Sequence, residues 1–150
     1  MRTYLVVIDE SGEARAALRF AARRAARTGG AVEIVALVPP AEFVQWGGVQ
    51  AAMEEEARLR AEAMVAEASG AILEEAGVKP SVSIRRGEPV KVVSDYLKAH
   101  PDIAALVLGA AAEGPGPLIQ HFAGAAAGNL PCPLMIVPGG LDAAALDRLS

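Results

Sequence analysis

Cysteine is nearly absent. Cys132, the single one, cannot close an intramolecular disulfide, and the opening Met-Arg-Thr-Tyr carries no signal-peptide cleavage region, which together point to the cytoplasm. Aromatic residues are also scarce, at 4%, so there are few platforms for stacking bases or sugars and the core should be aliphatic. Positive charge is not in excess: the formal net charge is −4, which argues against a footprint for nucleic-acid backbones. No apolar run approaches the roughly twenty residues of a membrane span, because Arg, Glu or Gly interrupts the alanine-rich segments. His100, His121 and Cys132 do not stand at metal-ligand spacing with a further partner, so no zinc site is expected. What remains is 53% apolar content in 150 residues, enough for one sizeable core and one domain.

Tyr4 to Ile8 is a short β-branched run ended by Asp9-Glu10-Ser11-Gly12. Beyond it, Ala14, Ala17, Leu18, Ala21, Ala22 and Ala25 recur at helical spacing. Ser11 is a candidate N-cap whose hydroxyl would accept from an unpaired backbone N–H, and Gly29-Gly30 supplies a left-handed exit. Ala31 to Val38 reads as a buried strand stopped by Pro39-Pro40, followed by a loop over Ala41–Gly48 that contains Trp46. A long helix from Val49 to about Ala76 should turn Met53, Ala57, Ala61, Met64, Val65, Ala68 and Ile72 inward, with Glu54 to Arg58 and Glu56 to Arg60 at pairing distance outside. Gly77 ends it. Ser81 to Arg86 alternates as a strand, Gly87-Glu88-Pro89 opens a helix to about Ala99, and Ile103 to Leu108 is the fourth strand.

After a loop rich in glycine and proline, Gly109 to Pro117, a helix is expected over Leu118–Leu130, weakened by Gly124 and Gly128. Leu134 to Val137 is the fifth strand, and Leu141 to Leu149 forms a short amphipathic helix or hangs loose. Strands alternating with helices five times define an α/β domain whose sheet is largely parallel and covered on both faces. In such sheets ligands bind beyond the carboxyl ends of the strands, where the direction of the connections reverses. For a strand order of 3-2-1-4-5 that reversal lies between strands one and four. Asp9 and the loop from Gly109 would then face each other. A carboxylate suits ribose hydroxyls or a metal, and N–H groups freed by glycine suit phosphate; the alternative role for Asp9 is a cap on the first helix and nothing more.

The residues Val-Val-Ile-Asp-Glu-Ser, Arg86-Gly87-Glu88-Pro89, Leu106-Val107-Leu108-Gly109 and Pro131-Cys132-Pro133-Leu134-Met135-Ile136-Val137 resemble segments of the universal stress protein family. The resemblance runs from Tyr4 to Pro138, so residues 1–138 are taken as the domain and 139–150 as a C-terminal tail. It implies a Rossmann-like, adenine-nucleotide alpha-hydrolase-like fold with the order 3-2-1-4-5, and a homodimer through the fifth strand, where Leu134, Ile136 and Val137 would present an apolar edge. It also implies ATP or AMP as ligand, with or without magnesium. ATP-binding members carry G-x2-G-x9-G-[ST] after strand four, and this chain departs from that pattern. With Gly114 and Gly124 as the second and third glycines, Ala111 and Ala125 replace the first glycine and the hydroxyl residue. Counting back from Pro131-Cys132-Pro133 instead puts Gln120-His121 at Gly-Ser and Ala112 at the second glycine. Each lost charge-assisted bond to phosphate weakens binding by roughly 1.5 to 3 kcal/mol.

The candidate nucleotide contacts are therefore Asp9, Gly109, Gly114, Gly116, Gly124 and His121, with Gly114-Pro115-Gly116-Pro117 as a stiff anion nest. Arg15, Arg19, Arg23 and Arg27 recur every four residues as a solvated helix face, and Arg85 and Arg86 stand at a strand end near the crevice. A phosphoacceptor receiver domain is disfavoured, since strand three ends in Arg85-Arg86-Gly87 without a carboxylate. With no G-x-S-x-G elbow and no Walker lysine, no turnover beyond slow ATP hydrolysis is expected. The expected function is a small dimeric stress-response module that binds an adenine nucleotide or related anion weakly. The alternative is a ligand-free interaction protein of the same fold, acting through a protein partner.

Overall fold

The computed structural model describes residues 1–39 and 47–150. The loop expected over Ala41–Gly48, with Trp46, lies outside the described residues except for Gly47 and Gly48, which already belong to a helix. The elements in chain order are β1 (Thr3–Ile8), α1 (Gly12–Thr28), β2 (Ala31–Val38), α2 (Gly47–Ala76), β3 (Ser81–Arg86), α3 (Pro89–Ala99), β4 (Ile103–Ala110), α4 (Gly116–Phe122), β5 (Leu134–Pro138) and α5 (Ala143–Leu149). All strand pairs are parallel, in the order β3-β2-β1-β4-β5.

The unbroken apolar run of β1 has a direct cause, since both faces of a central parallel strand are covered. Tyr4, Val6 and Ile8 pack with α1, Ile72 of α2 and Leu146 of α5. Leu5 and Val7 pack with Val93 and Leu97 of α3 and with Ile119 and Phe122 of α4. Along α1 the predicted stripe Ala14, Ala17, Leu18, Ala21, Ala22 and Ala25 is buried, and Gly29 ends the helix at φ +67°. Such small residues let the helix lie close on the sheet. In α2 the expected inward face is found from Ala61 to Ile72, but Met53 is 49% exposed, because among the described residues the helix first fully buries a side chain at Ala61.

Three other expectations change. The helix predicted over Leu118–Leu130 is shorter and earlier: α4 spans Gly116–Phe122, and only a turn of 3-10 helix, Ala127–Asn129, follows. A Cβ on Gly124 would lie 2.4 Å from the Gln120 carbonyl oxygen, so the chain turns tightly there and Ala126 N–H reaches back to the His121 carbonyl at 3.2 Å. Val137 does not join an exposed edge; strand alternation turns it into the α1 side of the core at 3% exposure, leaving Ile136 at 44%.

The arginine stripe of α1 is solvated only in part: Arg15 and Arg27 are exposed, whereas Arg19 and Arg23 are half-buried. Arg19 clamps Asp147 of α5 through Nε and Nη2 at 2.9 and 3.0 Å, and Arg23 pairs with the same carboxylate. Arg27 donates to the carbonyls of Asp147 and Ser150 at 2.8 and 2.9 Å. The C-terminal segment is thus a docked helix, capped by Asp142 accepting from Ala145 N–H at 2.8 Å and anchored by buried Leu146. No described helix is long and apolar enough to cross a membrane.

Candidate functional site

After β1 the chain proceeds to β2 on one side, and after β3 it returns to β4 on the other, so the split falls between β1 and β4. Val6 pairs with Val107, and the two strands end side by side, which brings Asp9 and Gly109 to one crevice.

Asp9 borders two lobes of this crevice. The first, about 120 Å³, is lined by Asp9, Ser11, Glu13, Gly109, Pro115, Gly116 and Pro117 among others. The second, about 340 Å³, lies on the β2 side, where Leu37, Val38 and Pro39 face Ala57, Ala61 and Met64 of α2, with Arg60 at its border. Asp9 and Glu10 also border a groove of about 610 Å³ between α1 and α2. The ion pairs Arg15–Glu67 at 3.2 Å and Arg60–Glu10 at 3.5 Å stand along that groove.

The Asp9 carboxylate is held by its own chain. Oδ1 accepts from the Ser11 N–H at 2.9 Å and from the Ser11 hydroxyl. Ser11 does occupy the N-cap position of α1, with extended backbone, but its hydroxyl serves Asp9 and not a helical N–H. Nor does Asp9 cap the helix interior. Its turn places a carboxylate in front of the α1 N-terminus, and Oδ2 makes no hydrogen bond among the described residues. One carboxylate oxygen is therefore free to accept from a hydroxyl pair such as that of a ribose.

Of the residues singled out in the sequence, Asp9, Gly109 and Gly116 meet at the crevice. Gly114 sits in a tight turn, bridged to Ala111, with its N–H on the Ala111 carbonyl at 3.3 Å. His121 lies in the last turn of α4 and Gly124 beyond its end, both outside the residues lining either lobe; the His121 ring meets Phe122 edge-on at 4.9 Å. Neither candidate register opens a helix with Gly-[ST], because α4 begins at Gly116-Pro117.

Arg86 turns to Glu54 of α2, with Nη1 3.5 Å from Oε2 and Nη2 3.3 Å from the Glu54 carbonyl. Arg85 lies over the Tyr96 ring at 5.6 Å. His100 satisfies the last turn of α3 through Nδ1 on the Tyr96 carbonyl at 2.8 Å. Burial pushes the Cys132 thiol up, away from the thiolate a nucleophile needs.

Sequence reasoning missed Glu13 and the whole β2-side lobe. Glu13 carried a usable signal, as the one acidic residue in the first turn of the helix after strand one. The lobe carried none, because Ala57, Ala61 and Met64 read as core positions until α2 is placed over the end of β2.

Sheet order and crevice define an α/β domain of Rossmann-like class. The sequence model of the universal stress protein family matches residues 1–138; the chain belongs to that family. No curated protein matches the chain by sequence.

Among solved structures, UspA from Lactobacillus plantarum, a universal stress protein, superposes with a TM-score of 0.76 at 20% identity, covering 91% of this chain and 97% of that one. The universal stress protein from Archaeoglobus fulgidus in complex with dAMP gives 0.65 at 20% identity, covering 91% and 97%. A universal stress protein family protein from Arabidopsis thaliana with AMP bound gives 0.55 at 16% identity, covering 92% of each chain. At these identities the likeness shows the fold.

Proposed function

We propose that this protein is a cytoplasmic, homodimeric stress-response module that binds an adenine nucleotide weakly at the β1/β4 split. The observation carrying this is the position of Asp9, between an apolar lobe of about 340 Å³ and a smaller one bordered by Gly109 and Gly116. The larger lobe has the size and lining of a small-molecule site. A flat base fits between the end of β2 and the alanine-rich face of α2, with the ribose hydroxyls on Asp9. The dAMP and AMP complexes of the Archaeoglobus and Arabidopsis relatives support an adenine ligand. No group of three His, Cys, Asp or Glu among the described residues is placed to hold a metal, so magnesium, where present, comes with the nucleotide. The dimer reading rests on β5, an edge strand with Ile136 exposed.

Native mass spectrometry of freshly purified protein and calorimetric titration with AMP test the assignment. Binding should be detected, and Asp9→Ala should weaken it about tenfold or more, since a charge-assisted hydrogen bond is worth about 1.5 kcal/mol or above. No bound nucleotide and no AMP heat would overturn it. The second reading, an interaction protein without nucleotide, is favoured by Pro115 and Pro117, which leave the loop after β4 two N–H donors short.

A further inference from the structure

We infer that the crevice accepts a nucleoside or nucleoside monophosphate and discriminates against the triphosphate, so that affinity falls from AMP to ATP. The inference rests on the nucleotide assignment above and adds what the phosphate end permits.

Four features of that end converge. The first is size: its lobe holds about 120 Å³ against about 340 Å³ on the base side. At about 30 Å³ per water this is roughly four water volumes, a space that matches one phosphate group, so further phosphates would lie beyond this lining. The second is charge. Its lining contains Asp9 and Glu13 and no Lys, Arg or His, and Glu13 makes no ion pair among the described residues. Residues 40–46, Pro-Ala-Glu-Phe-Val-Gln-Trp, contribute no cation from their sequence. Arg60 borders the other lobe and is paired with Glu10 at 3.5 Å. Each added phosphate negative charge therefore meets two carboxylates with no counter-charge in the lining.

The third feature is the supply of donors. A helix N-terminus ordinarily favours an anion, but here Asp9 already accepts the Ser11 N–H in front of α1, and Glu13 supplies an acid within the first turn. In the loop after β4, Gly114 N–H is spent on the Ala111 carbonyl. Pro115 and Pro117 have none to give, which leaves the N–H groups of Gly116 and Leu118 at the start of α4, a pair that serves one phosphate group. The fourth feature is steric. A Cβ on Gly109 would stand 2.0 Å from the Glu13 carbonyl oxygen, so the open side of this glycine is filled by the α1 backbone and offers no approach to a pyrophosphate.

Calorimetric titration without magnesium, at one ionic strength, with adenosine, AMP and ATP tests the inference. ATP should bind at least tenfold more weakly than AMP, and Glu13→Gln should narrow that ratio several-fold. ATP binding as tightly as AMP would overturn the inference while leaving the nucleotide assignment standing. A ratio unchanged in Glu13→Gln would remove Glu13 as its source. Failure of both adenosine and AMP to bind would overturn the nucleotide assignment itself, and this inference with it.

Discussion

The carbonyl oxygen of Glu13 occupies the space where any other residue at position 109 would carry its side chain, 2.0 Å from a Cβ built on Gly109. The end of β4 and the first turn of α1 touch backbone to backbone. Gly139 makes the same allowance, with the Glu13 Cβ 2.8 Å from its own would-be Cβ. Backbone cannot move aside as a flexible side chain does. Gly109→Ala is expected to destabilise by about 3 kcal/mol, at the upper end of overpacking costs, and to weaken AMP binding by shifting the turn that carries Asp9. Gly140, with nothing within 4 Å of its would-be Cβ, is the control. Urea unfolding should separate the two alanine variants, and equal midpoints would refute the close approach.

The legible parts of this fold were those fixed by period and punctuation. Strong alternation of strand and helix signals gave the α/β class, and the buried alanines of α1 follow from their spacing alone. Order and site came by a different route. No local signal tells strand four to pair with strand one, so the order 3-2-1-4-5 rested on resemblance, and the meeting of Asp9 with Gly109 depended on that order. Illegible features involve contacts between segments distant in sequence. Arg19 and Asp147 are apart by nearly the whole chain, so Arg19 and Arg23 read as solvated until α5 is laid against them. Gly124 looked like a weakness inside a helix, whereas the chain uses it to turn after α4 has ended.

The α5 latch predicts acid sensitivity of the C-terminus. The Arg19 hydrogen bonds hold the Asp147 carboxyl below the usual range, helped by the charges of Arg19, Arg23 and Arg27. A carboxyl depressed in the folded state contributes stability above its unfolded value near 4, and that contribution is lost as pH falls through the lower folded value. Protection of the amides over residues 143–149, taken relative to their intrinsic exchange rate at each pH, should therefore fall in this acid range before the strands open. Asp147→Asn should give fast exchange already at neutral pH and flatten the dependence. Exchange that stays slow in the variant would mean that Leu146 alone holds the helix.

The two tyrosines should titrate apart. Burial raises the Tyr96 phenol, and its hydroxyl, donating to Glu33 Oε2 at 2.8 Å, faces a carboxylate that raises it further, against an opposing hydrogen bond from Ser83. Tyr4 is lowered, first by its hydrogen bond with Thr28 and then by Arg24 and Arg2, against its own desolvation. Tyrosinate absorbance should rise in two steps on either side of the ordinary value near 10, and Tyr96→Phe should remove the upper one. Because the Tyr96 value is raised in the folded state, its contribution to stability is intact below pH about 10 and declines above it. A single step at the ordinary value would show that neither environment is as described.

The proposed dimer can be tested at one side chain. On β5, Met135 and Val137 face α1, while Leu134 packs on the opposite side of the sheet and Ile136 is left 44% exposed. An edge strand with an exposed isoleucine and no bulge invites pairing with a second copy. In a two-fold arrangement the same residue from both copies lies near the axis, so one substitution introduces two like charges into the contact. Ile136→Lys should convert the dimer to a monomer in sedimentation at concentrations where the parent chain remains dimeric, with an unchanged circular dichroism spectrum. The substituted side chain projects from an exposed edge, so the core that includes Val137 has no reason to loosen. A variant that still sediments as a dimer would move the interface off β5, and a parent chain found monomeric at high concentration would remove the dimer altogether.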